Sequence, residues 1–111
     1  MNNAFTPIAN TVLLAAAGVA PTGVKPLTRS GYNDGHCSFR FVHTGNQIAY
    51  IGYGSTAAEA QSNSVAPTGT SRKCIPLAAG SIEILDFPDD TYFSAITSAD
   101  CSIFITAGEG L

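Results

Sequence analysis

The sequence predicts an all-β protein: an antiparallel β-sandwich of jelly-roll or Greek-key type with an extended N-terminal arm. Three observations carry that expectation. From Cys37 to the C-terminus, short runs alternate apolar and polar residues, the period of a half-buried strand. Glycine, proline, asparagine and aspartate cluster between those runs, at spacings near the roughly 8–12 residues found between sandwich strands. Most of the intervals are too short for the crossovers of about a dozen residues that a parallel sheet requires.

The N-terminal stretch, residues 1–26, reads as an arm carrying one strand, with an ordinary first sandwich strand as the alternative; residues 27–111 form the sandwich. Pro7 biases its neighbour toward extended geometry. Residues 10–16 fit a strand or a short helix, because Thr11 and Val12 favour the first and the alanines the second. Pro21, Gly23 and Pro26 then break regular structure. Residues 28–35 hold Ser30-Gly31 and Asn33-Asp34-Gly35, which supply turns.

Residues 37–43 (CSFRFVH) alternate cleanly, with Cys37, Phe39, Phe41 and His43 on one face and Ser38, Arg40 and Val42 on the other. Residues 47–53 (QIAYIGY) follow after Thr44-Gly45-Asn46, and the pair is the strongest hairpin signal in the chain. Residues 54–69 form a long connection in which Thr56 and Glu59 are spaced like a capping box ahead of a helical turn at 57–61. A connection this long tends to be functional or interfacial. Four more strands are expected at 73–77, 81–87, 91–97 and 101–106. Pro76 places the first of these at an edge or a bulge. The tetrapeptide APTG at 20–23 and 66–69 has unlike flanks and reads as one turn solution used twice.

Composition narrows the function classes. The chain has 111 residues, 45% hydrophobic and 12% charged, with net charge −3. One domain of that size folds alone. Its five cations, Lys25, Arg29, Arg40, Arg72 and Lys73, are scattered, so no nucleic-acid partner is expected. Few charges leave a neutral surface that tends to meet a partner or a second copy. Three widely spaced cysteines, Cys37, Cys74 and Cys101, read as reduced thiols, with one disulfide as the alternative. Residues 12–20 (VLLAAAGVA) look like the apolar core of a signal peptide. No Lys or Arg precedes them and Pro21 follows the obvious cleavage point, so a secretory leader is not expected. The run is shorter than the ~20 residues a bilayer needs, and no membrane partner is expected.

Catalytic vocabulary is sparse. His36 and His43 sit at opposite ends of one strand with odd spacing, which places them on opposite faces. Adjacent Cys37 and His36 also point apart, and no GxSxG elbow exists. Asp89 and Asp90 fit a solvated Pro-Asp-Asp turn better than a calcium or glycosidase site. The cysteines and histidines lack metal-ligand spacing. Gly52-Tyr53-Gly54 and Gly108-Glu109-Gly110 lack the third glycine and helix of a dinucleotide loop. No enzyme activity, cofactor or metal is expected. Tyr50 and Tyr53 fall on opposite faces, so one of them should approach the surface, where a sugar- or protein-binding platform could use it.

Most of the chain resembles small structural proteins of tailed-phage virions. The resemblance is carried by Phe39-Arg40-Phe41-Val42-His43-Thr44-Gly45, Ala49-Tyr50-Ile51-Gly52-Tyr53-Gly54 and Ile75-Pro76-Leu77-Ala78-Ala79-Gly80-Ser81-Ile82-Glu83-Ile84-Leu85. Tyr92-Phe93-Ser94-Ala95-Ile96-Thr97, the closing Ile103 to Gly110 and the opening Ala4-Phe5-Thr6-Pro7 complete it. His43 stands where asparagine would be expected. The resemblance implies a capsid cement or decoration protein, made in a bacterial cytoplasm and located on the capsid surface. Its partners would be the major capsid protein and further copies of itself. A head–tail, tail or fibre-base component is the alternative, and a small carbohydrate-binding module another. Contact residues implied for the arm are Asn2, Asn3, Phe5, Pro7 and Ile8, with the arm adding a strand to a neighbour's edge. Those implied for the long connection are Ala58, Glu59 and Gln61.

Overall fold

In the computed structural model, which describes residues 5–8, 10–26, 36–69, 72–88 and 90–109, strand β3 (His36–His43) sets the pattern of the whole fold. Its Cys37, Phe39, Phe41 and His43 are buried, while Ser38, Arg40 and Val42 alternate with them on the outer face. The other described elements are β1 (Thr6–Pro7), β2 (Val12–Ala16), β4 (Ala49–Gly54), α1 (Ala57–Asn63), β5 (Cys74–Leu77), β6 (Ile82–Pro88), β7 (Tyr92–Thr97) and β8 (Cys101–Glu109).

Two antiparallel sheets result. In the large sheet β3 lies between β6 and β8, and β1 and β2 pair in tandem along the far edge of β8. The small sheet runs β5-β4-β7. Residues 17–26 lie along the outer edge of β7, bridged at Ala17–Ile96 and Val24–Phe93. The pairings nest: β2 with β8, residues 17–24 with β7, β3 with β6, and β4 with β5. That nesting is a jelly-roll wind. Its second strand is reduced to two bridges because Pro21, Gly23 and Pro26 prevent a continuous ladder.

The inner faces meet over one apolar core. Phe93 of the small sheet sits among Phe39, Phe41 and Phe87 of the large one, with ring centroids 5.1, 5.2 and 5.1 Å away. Edge-on packing of this kind adds to the burial energy of each ring. Leu14, Ile51, Leu77, Ile103 and Ile105 complete the cluster. Helix α1 lies outside the small sheet, against β4. A Cβ on Gly52 would stand 2.5 Å from the Ala60 carbonyl, the Ser64 N–H and the Ser64 hydroxyl. Only glycine permits that approach. Thr56 caps the helix, accepting from the Glu59 N–H at 3.0 Å, so the expected capping pair forms. The Glu59 carboxylate accepts from the Ser55 N–H at 2.7 Å, one residue before the cap.

The expected hairpin between residues 37–43 and 47–53 does not form: β3 and β4 belong to different sheets. Both edges of β3 are occupied, by β6 and β8. The buried His43 ring turns the connecting loop toward the other sheet, with Nε2 2.6 Å from the Gln47 carbonyl and Nδ1 accepting from the Gly45 N–H at 3.0 Å. These two partners assign the neutral ring with its proton on Nε2. His43→Asn keeps a polar group but cannot reach both partners. It is expected to cost about 1–2 kcal/mol in a denaturation series, the scale of one or two lost hydrogen bonds.

Of the two readings of the N-terminal stretch, β2 takes that of a first sandwich strand: it pairs with β8 over its whole length and buries Leu14 and Ala16. The apolar run at residues 12–20 is therefore one strand and the segment that crosses to the small sheet. Pro76 lies on an edge strand as expected. The Lys73 carbonyl bonds Tyr53, so alternation turns position 76 away from β4, where its missing N–H breaks no ladder bond. The turn region expected at 28–35 lies outside the described residues.

Candidate interaction surface

The outer face of the large sheet is built by the positions that alternate with the core. Register aligns Leu13 of β2 with Phe104 of β8, Phe104 with Val42 of β3, and Val42 with Ile82 of β6. These four side chains form one cross-strand row over the full width of the sheet, about 14 Å at the usual inter-strand spacing. Leu13 is 53% exposed, Phe104 38% and Ile82 55%, with Val42 half-buried between them. Isolated exposed apolar side chains are ordinary, whereas a contiguous row is a candidate contact surface. Helix α1 and residues 17–26 cover the small sheet instead, and no described element packs across this row.

The next row is mostly polar: the Thr11 and Thr106 hydroxyls bond at 2.6 Å and Arg40 lies beside Thr106, with the apolar Ile84 at its β6 end. Apolar strip and polar margin together resemble a binding patch with its rim. Alternation alone could not reveal the row, because register across strands that are distant in sequence creates it.

The contact residues expected from sequence fall elsewhere. Asn2 and Asn3 lie outside the described residues. Phe5 stands over Gly108, whose bare Cα admits its ring. Pro7 is exposed and paired with Gly108, and Ile8 donates to the Ala107 carbonyl at 3.0 Å while packing on the core. Thus Phe5–Ile8 engages its own β8 rather than standing free. Ala58 is exposed on α1. Glu59 is held internally by Ser55 and by Lys73 at 3.4 Å. The Ser55 N–H, then its hydroxyl, then Lys73 keep the Glu59 carboxyl below its ordinary pKa. Gln61 donates to the Ala20 carbonyl at 2.9 Å, tying α1 to the crossing segment.

The two tyrosines separate as alternation requires. Tyr50 faces outward and lines a depression of about 300 Å³ with Gly18, Ile48, Ala66, Ile96 and Thr97. Tyr53 faces the core edge, 5.0 Å from Phe87, and shares a smaller hollow of about 180 Å³ with Lys73 and Asp90. Asp89 lies outside the described residues. Among the described residues no three His, Cys, Asp or Glu side chains converge.

Tertiary structure creates one pair that the sequence does not announce: Cys101 Sγ stands 3.8 Å from His43 Nδ1. It lacks the chemistry of an activated nucleophile. The Gly45 N–H already occupies Nδ1, and burial, then the charge of Asp100, push the Cys101 thiol above its ordinary pKa. Alkylation of Cys101, followed by peptide mass spectrometry, is expected to be slow at neutral pH. It should accelerate only at a higher pH than for a cysteine in an unfolded peptide.

Compared with known proteins, the chain matches no family model, no curated protein and no solved structure.

Proposed function

We propose that this protein is a non-enzymatic structural component of a tailed-phage virion, a capsid cement or decoration protein that docks on the major capsid protein through the outer face of its large sheet. The observation that carries the reading is the apolar row of Leu13, Phe104, Val42 and Ile82 across a sheet face that no described element covers. The jelly-roll wind supports it, being an architecture that capsid proteins use, as do the sparse charges and the resemblance in residues 39–54 and 75–85.

The energetics suit a cement. Fully burying one side chain of this size contributes about 1.5–3 kcal/mol before the costs of association are subtracted. A four-residue row therefore gives a modest single contact. Repeated by symmetry over a shell, contacts made only with the assembled state stabilise that state by linkage.

Quantitative mass spectrometry of purified virions of the encoding phage tests the proposal. A copy number close to that of the major shell protein is the expected result. A number fit for a single ring would move the protein to the portal or tail, and absence from the virion would overturn the reading. Glycan binding is the second reading, favoured by Tyr53 and Asp90 sharing one hollow. At about 180 Å³ that hollow is smaller than the ~300 Å³ at which ligand pockets ordinarily begin.

A further inference from the structure

Helix α1 covers only part of the outer face of the small sheet. It lies over Gly52 of β4, whose N–H donates to Ser64 Oγ just past the helix end. Toward the start of β4, Tyr50 is the register partner of Ile96 on β7. These two residues and Ile48 line the depression of about 300 Å³, which Gly18 of the crossing segment and Ala66 of the loop after α1 flank. Both flanking residues are small, and a Cβ on Gly18 would meet no atom within 4 Å.

Hydrogen bonds hold this hollow in shape. The Thr97 N–H donates to the Ala17 carbonyl at 2.9 Å, beside Gly18. The Cys74 thiol donates to the Val65 carbonyl at 3.5 Å, beside Ala66. The Thr97 hydroxyl donates to the Ile48 carbonyl at 3.1 Å. A hollow pinned in this way exists before any ligand arrives, as ligand pockets usually do. It is also accessible: Ile48 is 44% exposed, and Val19 and Val65, next in the chain to Gly18 and Ala66, are 82% and 40% exposed. The described residues on either side of 27–35 lie toward the opposite end of the sandwich. Pro26 follows the Val24–Phe93 bridge, and His36 pairs with Pro88.

The lining selects a ligand class. It carries no charged side chain, so an ion would lose its hydration without compensation. The hydroxyls of Tyr50 and Ser98 make no hydrogen bond among the described residues, whereas that of Thr97 is already engaged. A ring with one hydrogen-bonding group is satisfied by such a lining. A sugar would bring several hydroxyls against apolar walls and leave them unpaired.

We propose that this depression binds a small neutral aromatic compound of the phenol class, its ring packed against Tyr50, Ile48 and Ile96 and its hydroxyl bonded to that of Tyr50. A volume of about 300 Å³ is at the lower limit of ligand pockets and suits a single ring. The site lies on the opposite side of the sandwich from the apolar row, and it stands independently of the virion reading.

Titration of the isotope-labelled full chain with p-cresol, followed through amide chemical shifts, tests the proposal. Saturable shifts centred on Gly18, Tyr50, Ala66 and Ile96 are expected. Toluene, which lacks the hydroxyl, is expected to shift the same amides with affinity about fivefold weaker, the scale of one hydrogen bond. The anion p-toluate is expected to leave them unmoved. Tyr50→Phe should weaken p-cresol to the level of toluene and leave toluene itself unchanged, with the melting temperature of wild type. Absence of saturable shifts at these amides would overturn the proposal. So would p-toluate binding as tightly as p-cresol, toluene binding as tightly as p-cresol, or an unchanged p-cresol affinity in Tyr50→Phe.

Discussion

Phe93→Ala is expected to destabilise the protein by about 3–5 kcal/mol, the range for truncating a large buried aromatic. Phe93 is fully buried and is the small sheet's contribution to a cluster that otherwise comes mostly from the large sheet. Removing its ring leaves Phe39, Phe41 and Phe87 facing a cavity, and β-strand backbones on both sides limit collapse into it. Domains of this size are stable by only about 5–15 kcal/mol, so the loss is a substantial fraction of the total. Urea denaturation checks this: the midpoint should fall steeply while the slope stays near wild type. Phe93→Leu, which refills part of the space, should recover a substantial part of the loss.

Gly52→Val is expected to cost about 3 kcal/mol, the upper part of the range for overpacking. The three atoms within 2.5 Å of the added Cβ include the Ala60 carbonyl oxygen and the Ser64 nitrogen. Both are backbone, so no side-chain rotation can relieve the clash and α1 must lift from β4. Its C-terminal end is stitched there by the Gly52 N–H donating to Ser64 Oγ at 3.2 Å and by Asn63 donating to the Tyr53 carbonyl at 3.1 Å. Amide hydrogen exchange should show α1 opening at a lower free energy than the β3–β8 ladder, a local loosening on top of the global loss. Gly80 has φ +70° with open space around its Cα. A substitution there tests backbone conformation instead and separates the two effects.

Strand identity was largely legible in the sequence because alternation is local. The runs at 37–43, 73–77, 81–87, 91–97 and 101–106 each coincide with a strand to within a few residues. The helix reads correctly from Thr56 and Glu59, although it runs on to Asn63. Partnership was not legible. The short connection after residue 43 carries a hairpin signal, yet the buried His43 ring and the occupied edges of β3 send the chain to the other sheet. A local turn preference cannot register such tertiary constraints.

The apolar row was hidden for a related reason. Leu13, Val42, Ile82 and Phe104 occupy four separate strands, and each alone is an unremarkable apolar residue at an outward position. The arm and helix residues drew attention because they lie in segments without a clear strand pattern. Phe5, Ile8, Glu59 and Gln61 make contacts within the domain.

The central claim is that the outer face of the large sheet is the docking surface. Cosedimentation of the purified protein with capsids lacking it, comparing wild type with the double variant Leu13→Lys, Phe104→Asp, whose opposite charges face each other across the β2–β8 ladder, tests it most directly. Both residues lie away from β6, and both are exposed, so the melting temperature should hold near wild type. The account predicts at least tenfold weaker binding, about 1.4 kcal/mol or more. Binding equal to wild type by the folded variant would contradict it.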